Sequence, residues 1–188
     1  TAATYRTDDF YMGRTLDYEF SYGEEITVMP RNFPLSFRHG GGTDRHYAII
    51  GMAHVADGYP MFYDAVNEKG LGMAGLNFAA SARYSEPEDG KQNVAQFEFI
   101  PWVLSQFASL GQARSAIEKI NLVGTTYDSR YPAAKMHWII ADKSGAITVE
   151  PTEGGLKIYD NAPGVLTNEP PFDMQLFNLN NYMRLSPR

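Results

Sequence analysis

The chain has 188 residues, of which 44% are hydrophobic, and its 16 Lys and Arg against 22 Asp and Glu give a net charge of -6. This length is sufficient for one sizeable domain with its own core. The acidic balance argues against nucleic acid and against an anionic membrane surface as partners. No run of about 18 apolar residues occurs, so membrane insertion is not predicted. The absence of cysteine excludes disulfides and thiolate metal sites within the chain.

Strands are predicted throughout residues 1–37. The segment "TVMPRNFPLSF" contains Pro30 and Pro34, so it is predicted to form an edge strand or a bend rather than a central strand. The following "RHGGGTDRH" is rich in glycine and is predicted to form a surface turn.

The next segment is predicted to form three strands joined by two turns. Residues 57–60 form the first turn. The second is "NEKG", where Gly70 can adopt a positive φ angle. The polar, proline-containing "SARYSEPEDGKQN" is predicted to be a loop. The three predicted strands span residues 47–55, 61–65 and 72–78.

Two helices are predicted next, because apolar residues recur there at intervals of three to four. The first spans residues 95–107 and contains Pro101, which a helix tolerates in its first turn. The second spans residues 109–120, and its apolar stripe ends at Ile120.

The segment that begins "MHWIIAD" alternates with period two around the turns "DKSG" and "TEGG", which predicts a three-stranded meander. The order of strands, a helix pair and further strands indicates an α+β layered domain.

Several kinds of site lack support in the sequence. No two of the four histidines lie at metal-ligand spacing with a carboxylate, so no metal site is predicted. The segment "RHGGGTDRH" lacks the spacing of a phosphate-binding loop. No nucleophile elbow of the GxSxG type occurs.

Four polar residues in apolar surroundings are candidates for a site. Arg14 and Asp17 lie three apart in "GRTLD", where a bend could bring them together, although a structural ion pair on a surface strand is an alternative. Asn77 ends the apolar strand "AGLNF", and Asn168 follows another in "GVLTNEPP". A side-chain amide aimed into a pocket can stabilise an oxyanion, whereas the alternative for both asparagines is a locally hydrogen-bonded turn. Together they are typical of an apolar pocket with a few fixed polar groups.

A nucleophile is missing from this set. Thr1 is the one unusually placed candidate, because a residue at a free N-terminus can use its own α-amino group as the base. That group has a pKa of about 7.7–8.0, close enough to neutral to accept a proton.

Five segments carry a resemblance to a known family: "GRTLDYEFSYGEE", "YDAVNEKGLGMAGLNF", "FEFIPWVL", "GLKIYDNAPGVLTNEPPF" and "LFNLNNY". They strongly resemble the choloylglycine hydrolases of gut bacteria, the conjugated bile acid hydrolases, which are related to penicillin V acylase. The resemblance extends along nearly the whole chain in the expected order.

This resemblance implies an N-terminal-nucleophile hydrolase, an αββα four-layer sandwich in which two antiparallel sheets stack between helix layers. The family nucleophile is a Cys exposed by removal of the initiator Met and usually followed by Thr. The catalytic Cys is therefore expected immediately before Thr1, outside the chain. The alternative is that Thr1 itself serves as the nucleophile.

The resemblance also implies roles for the four polar residues. Arg14 matches the family Arg beside the nucleophile, which helps to hold substrate and favours the thiolate. Asp17 matches the Asp that orients the α-amino group. Asn77 and Asn168 match the two oxyanion-hole asparagines. Similar penicillin V acylases tend to carry Tyr where this chain has Asn77, so bile salts are favoured over penicillin V.

Substrate binding is expected to involve Arg14 and Asn77 together with apolar residues. Leu16, Phe62 and Ala65 are the expected walls for the steroid, and plain core packing is their alternative role. The family chain is longer, with a further catalytic Arg beyond "NLNNY". Residues 1–188 are therefore expected to be the N-terminal portion of a single choloylglycine hydrolase-like domain, with the remainder absent.

The activity implied by the resemblance is hydrolysis of the amide between a bile acid and glycine or taurine, a reaction of lipid metabolism that needs no metal or organic cofactor. A homotetramer in the bacterial cytoplasm is expected. One alternative is a penicillin V acylase, which shares the chemistry but differs in its acyl pocket. Another is a non-catalytic steroid-binding member or an inactive fragment.

Overall fold

A computed structural model describes residues 1–182 and 184–185. In this part of the chain the helices are α1 (Phe99–Gln106), α2 (Leu110–Ile117) and α3 (Phe172–Leu179), with short 3₁₀ helices at Gln96–Glu98 and Asn180–Tyr182. The strands are β1 (Ala2–Arg6), β2 (Phe10–Arg14), β3 (Glu25–Met29), β4 (Leu35–Phe37), β5 (Gly41–Thr43), β6 (Ile49–Ala56), β7 (Tyr59–Asn67), β8 (Gly72–Asn77), β9 (Gln92–Ala95), β10 (Ile120–Val123), β11 (Met136–Asp142), β12 (Gly145–Thr152), β13 (Gly155–Asp160) and β14 (Val165–Leu166).

A seven-stranded antiparallel sheet forms the centre of the described structure, in the order β13-β12-β11-β8-β7-β6-β3. A three-stranded antiparallel sheet has the order β14-β1-β2. Two further pairs, β4 with β5 and β9 with β10, complete the described strands. The small sheet thus places β14, from late in the chain, beside β1 and β2 from its beginning.

The two faces of the central sheet bury different partners, because side chains alternate along each strand. Met73 and Trp138 face the core cluster that contains the apolar residues of α1 and α2. Ala74, Leu76 and Ile139, one residue along, pack against the small sheet through the second cluster. Helix, sheet and sheet therefore stack as layers, which confirms the predicted α+β layered domain.

Several predicted elements are confirmed with small shifts of their ends. The meander is β11 to β13, and β3 is the edge strand that stops before Pro30. In the "NEKG" turn the Gly70 N–H donates to the Asn67 carbonyl at 2.9 Å, and Gly70 has a φ of 85°. Pro101 lies in the first turn of α1, where its missing N–H costs no helical hydrogen bond.

Two predictions were wrong in detail, and one helix was not predicted. The second helix ends at Ile117, and Ile120 begins β10, whose Leu122 and Val123 are buried beside the parallel strand β9. The glycine-rich "RHGGGTDRH" contains β5 and closes a short hairpin with β4. Helix α3 was not predicted from the sequence, and Phe172 is its one buried residue.

Glu98 is a buried carboxyl group near the end of the first 3₁₀ helix. Its Oε1 accepts a hydrogen bond from the Arg38 N–H at 2.7 Å. Its Oε2 and the buried Tyr59 hydroxyl form no hydrogen bond within the described residues. Burial raises the pKa of Glu98 from 4.5 to about 7, against the opposing effect of the Arg38 hydrogen bond. The folded protein therefore retains a proton that the unfolded chain releases.

We expect Glu98→Gln to flatten the pH dependence of stability in the full-length protein. Since the folded pKa is the higher one, the wild-type free energy of unfolding should fall as pH rises from 4.5 to about 7. A shift of this size corresponds to about 3 kcal/mol. The variant should be the more stable protein at pH 8, as measured by chemical denaturation across this pH range.

The matched control for this experiment is Glu88→Gln. The Glu88 carboxylate is half-exposed and accepts a hydrogen bond from Lys91 Nζ at 2.7 Å. An exposed pair of this kind contributes about 1 kcal/mol at most, so the control should keep the wild-type pH profile. Parallel profiles for Glu98→Gln and wild type would contradict the expected proton uptake at Glu98.

Candidate active site

Arg14 ends β2 with its guanidinium buried against the central sheet; its side chain is 9% exposed. Nη2 donates a hydrogen bond to the Gly75 carbonyl at 2.7 Å, and Nε lies 3.6 Å from Asp64 Oδ2. Nε and Nη1 are buried and form no hydrogen bond within the described residues. Burying N–H donors without partners costs free energy, so this cation is held in place with donors available to a ligand.

The anion that faces Arg14 is Asp64, in β7, and not Asp17. Asp17 is exposed and forms no ion pair within residues 1–182. Burial raises the pKa of the Asp64 carboxyl, and the charge of Arg14 opposes this rise. The same cation opposes the rise that burial produces in the pKa of the Tyr18 hydroxyl. Asp64 is therefore the carboxylate paired with Arg14, and the anticipated contact between Arg14 and Asp17 is absent.

Thr1 lies where the ends of all three small-sheet strands meet. Its amino group donates to Thr15 Oγ1 at 3.2 Å, and the Thr15 N–H donates to the Thr1 carbonyl at 2.9 Å. The next residue, Ala2, pairs with Arg14 on one side and with Leu166 on the other. The start of β1 is thus flanked by the residues that follow β2 and β14.

Both predicted asparagines lie at strand ends with free side-chain amides. Asn77 is the last residue of β8, pairs with Met136 of β11 and is exposed. Asn168 lies two residues beyond the end of β14 and is also exposed. Neither side chain forms a hydrogen bond within the part of the chain that the structure describes. The locally hydrogen-bonded turns that were the alternative roles are therefore not seen there.

A carboxylate connects the two segments that carry these asparagines. Glu169 follows Asn168 directly, and its Oε1 accepts hydrogen bonds from the Ala80 and Ser81 N–H groups at 3.0 and 3.1 Å. The Ser81 hydroxyl donates to Oε2 at 2.8 Å. The loop after β14 therefore sits on the turn that follows Asn77.

An apolar cavity of about 600 Å³ opens on the helix side of the central sheet. Its walls come from the loop after β2, from the β6–β7 hairpin and from the loop before β11. A register shift opposite Met52 and Ala53 leaves Tyr63 as an extra residue in β7, so that Phe62 and Tyr63 both line the cavity. The lining residues are Tyr18, Tyr22, His54, Met61, Phe62, Tyr63, Gln96, Phe97, Ile100, Arg130, Tyr131, Pro132, Ala133, Ala134, Met136 and Trp138.

The residues predicted to bind substrate are divided between two places. Phe62 lines this cavity, while Arg14 and Ala65 line a smaller one of about 340 Å³ on the other side of β7. Leu16 is half-buried and Asn77 is exposed, and neither lines these two cavities.

Sequence reasoning missed two polar features of the site. Asp64 stands in the otherwise apolar "MFYDAV", a signal that could have identified it as a buried partner for a cation. The pair of His54 and Tyr131, joined by a 3.0 Å hydrogen bond between Nε2 and the hydroxyl, links positions 77 apart in the chain. That separation leaves no local pattern from which the pair could be predicted.

Two further findings bear on the kind of site. Within the described residues, no group of three or more His, Cys, Asp or Glu side chains is arranged to hold a metal ion. None of the described helices combines the length and the apolar character required to cross a membrane.

Comparison with known proteins identifies the family to which the sequence is similar. The family model described as linear amide C-N hydrolases, choloylglycine hydrolase family, matches residues 1–188. The bile salt hydrolase/transferase of Lactiplantibacillus plantarum is 50% identical over 186 residues, which cover 99% of this chain and 57% of that protein.

Solved structures of other proteins have a similar fold. Two of them are variants of the conjugated bile acid hydrolase from Clostridium perfringens. One has an arginine replaced by leucine, and the other has its second residue, a cysteine, replaced by alanine. Each matches with a TM-score of 0.92 at 37% identity, over 100% of this chain and 58% of that chain. Penicillin V acylase from Agrobacterium tumefaciens shares the fold, with a TM-score of 0.76 at 23% identity over 98% of this chain and 56% of that chain.

The chain thus spans less than two thirds of the length of these relatives. The structural matches confirm the predicted fold class, the antiparallel α+β sandwich of the N-terminal-nucleophile hydrolases. The match of the family model along the whole chain, with the close relatives, shows that the chain belongs to the choloylglycine hydrolase family of linear amide C–N hydrolases.

Proposed function

We propose that the whole protein hydrolyses the amide bond between a bile acid and glycine or taurine, with an N-terminal Cys as nucleophile. The observation that carries this proposal is the register of the small sheet around Thr1. Because Ala2 pairs with Arg14 and Leu166, continuing both antiparallel registers by two residues places the residue before Thr1 opposite Leu16 and Asn168. A cysteine there would lie beside the residues of the proposed site.

Arg14 and Asp17 have different roles in this proposal. The buried Arg14 cation ends the strand that pairs with β1, and a neighbouring positive charge favours the thiolate form of a cysteine. Asp17, which follows Leu16 directly, orients the α-amino group of that cysteine in this proposal.

The reaction proceeds in two stages, formation of a thioester on the cysteine and its hydrolysis. The thiolate attacks the amide carbonyl, a C–S bond forms, and the amides of Asn77 and Asn168 stabilise the oxyanion. The C–N bond then breaks as the α-ammonium group gives its proton to the leaving amine. Water attacks the thioester and gives a proton to the α-amine, and the C–S bond breaks to release the bile acid. No metal or organic cofactor takes part.

The cavity lined by Phe62 suits a rigid apolar acyl group. Its volume of about 600 Å³ lies within the range of about 300–1,000 Å³ that is usual for small-molecule sites. The loop after β2 contributes Tyr18 and Tyr22 to its wall and also contains Leu16 and Asp17. We place the steroid in this cavity, with its amide directed towards Asn77.

The proposal includes the extent of the domain, the oligomeric state and the location of the protein. In this proposal residues 1–188 are the N-terminal portion of a single choloylglycine hydrolase-like domain. The whole protein acts as a homotetramer in the bacterial cytoplasm.

The direct test compares substrates with the purified full-length protein. Glycocholate, taurocholate and penicillin V are incubated separately, and the released amine is quantified in each case. We expect release of glycine or taurine at a higher kcat/KM than release of the penicillin nucleus. A preference for penicillin V would instead support the acylase alternative. Saturable binding of taurocholate without amine release would support a non-catalytic steroid-binding protein.

A further inference from the structure

The loop that carries Asn168 is held by side-chain hydrogen bonds from the residues on both sides of Asn168. Glu169 supplies three hydrogen-bond acceptor contacts to Ala80 and Ser81. Helix α3 also holds the loop, through Gln175. Its Nε2 donates a hydrogen bond to the Asn168 carbonyl at 3.1 Å, and its Oε1 accepts one from the Thr167 hydroxyl at 3.0 Å. The backbone on both sides of the Asn168 side chain is therefore held.

A buried pair of hydrogen-bonded side chains, Glu150 and His137, holds the end of the same loop. Glu150, in β12, accepts hydrogen bonds from the Phe172 N–H at 3.1 and 3.2 Å, at the first residue of α3. The same carboxylate lies 2.8 Å from His137 Nδ1, and both side chains are fully buried. The His137 ring stacks on Phe78, the residue after Asn77, with ring centres 4.3 Å apart.

Both attachments lead to the segment that carries Asn77. Glu169 contacts the turn three and four residues beyond Asn77. His137 pairs with Leu76, one residue before it. Of the two attachments, the Glu169 contacts connect the Asn77 and Asn168 segments directly, through a carboxylate that has no other hydrogen-bonding partner within the described residues.

We propose that Glu169 is a positioning residue that sets the separation of Asn77 and Asn168, so that both amides point to one oxyanion. This inference rests on the proposed function. Oxyanion donors act only when they are held about 2.7–3.1 Å from the developing charge. A carboxylate that binds two backbone N–H groups and a hydroxyl fixes that geometry without touching the substrate.

The test uses five variants of the full-length enzyme with taurocholate as substrate. Glu169→Ala removes all three acceptor contacts, and we expect kcat to fall by about tenfold to 10²-fold with little change in KM, as for a displaced catalytic group. Glu169→Gln keeps an Oε1 acceptor for Ala80 and Ser81 and should recover most of kcat. Glu88→Ala, a substitution at an exposed glutamate in another loop, should leave kcat unchanged.

The double variant Asn168→Ala/Glu169→Ala decides whether Glu169 acts through Asn168. We expect the second substitution to add almost nothing to the loss that Asn168→Ala causes alone. Equal factors in both backgrounds, or no recovery with glutamine, would overturn the inference while leaving the hydrolase assignment intact. If the wild-type protein releases neither taurine from taurocholate nor glycine from glycocholate, the proposed function fails first, and this is visible before any variant is compared.

Discussion

Replacing Asn77 by alanine is expected to reduce turnover of conjugated bile salt by about 10²-fold or more, the usual cost of losing one oxyanion donor. The side chain is exposed at the end of β8 and makes no hydrogen bond within the described residues. Its removal should therefore leave the melting temperature unchanged. The loss should appear in kcat, measured by taurine release from taurocholate under saturating substrate.

A matched control separates this effect from general damage. Asn181 is an exposed asparagine in the last 3₁₀ helix, where its amide donates to the Asn178 side chain at 3.2 Å. Asn181→Ala makes the same chemical change and should keep kcat within about twofold of wild type, because Asn181 has no role in the proposed reaction. Unchanged turnover in Asn77→Ala would remove the oxyanion role of Asn77.

Gly51→Ala is expected to have the largest effect on folding. An added Cβ would lie 2.0 Å from the Asp64 carbonyl oxygen and 2.5 Å from Ala65 Cβ. Gly51 pairs with Ala65 in the most extensive strand pairing of the central sheet, so neither backbone can move away alone. Overpacking usually costs about 1–3 kcal/mol and sometimes more, and a clash with backbone belongs at the upper end. The shift would also move Asp64 relative to Arg14.

The measurement is the free energy of unfolding of the full-length protein, with Gly111→Ala as the control. Gly111 lies in α2 with no atom within 4 Å of its added Cβ, so alanine there should stabilise the helix by roughly 0.5–1 kcal/mol. A Gly51→Ala variant as stable as wild type would contradict the close β6–β7 packing.

Local sequence patterns predicted much of the fold. Period-two alternation identified the β11–β13 meander, and "NEKG" identified a turn in which Gly70 has a φ of 85°. The same patterns failed at Ile120, because an apolar residue at helical spacing also suits the buried strand β10, and its partner β9 is about 28 positions earlier in the chain. Helix α3 was not predicted, although Phe172, Leu176 and Leu179 recur there at helical spacing.

The candidate site also has parts that could be predicted from the sequence and parts that could not. Asn77 and Asn168 could be proposed as candidates because Asn is depleted in strands and each accompanies an apolar strand. Their connection through Glu169 could not, since it depends on contacts between residues 88 and 89 apart in sequence. The pairing of Arg14 with Asp64 was also missed, because sequence proximity favoured Asp17. Only the packing of the small sheet on the central sheet brings β2 and β7 together.

The central claim is that a cysteine directly before Thr1 performs the chemistry. The most direct measurement is mass spectrometry of the N-terminal peptide from full-length protein that is active on taurocholate, before and after inactivation with iodoacetamide. The account predicts a peptide that begins with Cys followed by Thr1, with a free α-amino group, alkylated on that cysteine in step with the loss of activity. An active protein whose mature chain begins at Thr1, or whose activity survives alkylation of that cysteine, would contradict it.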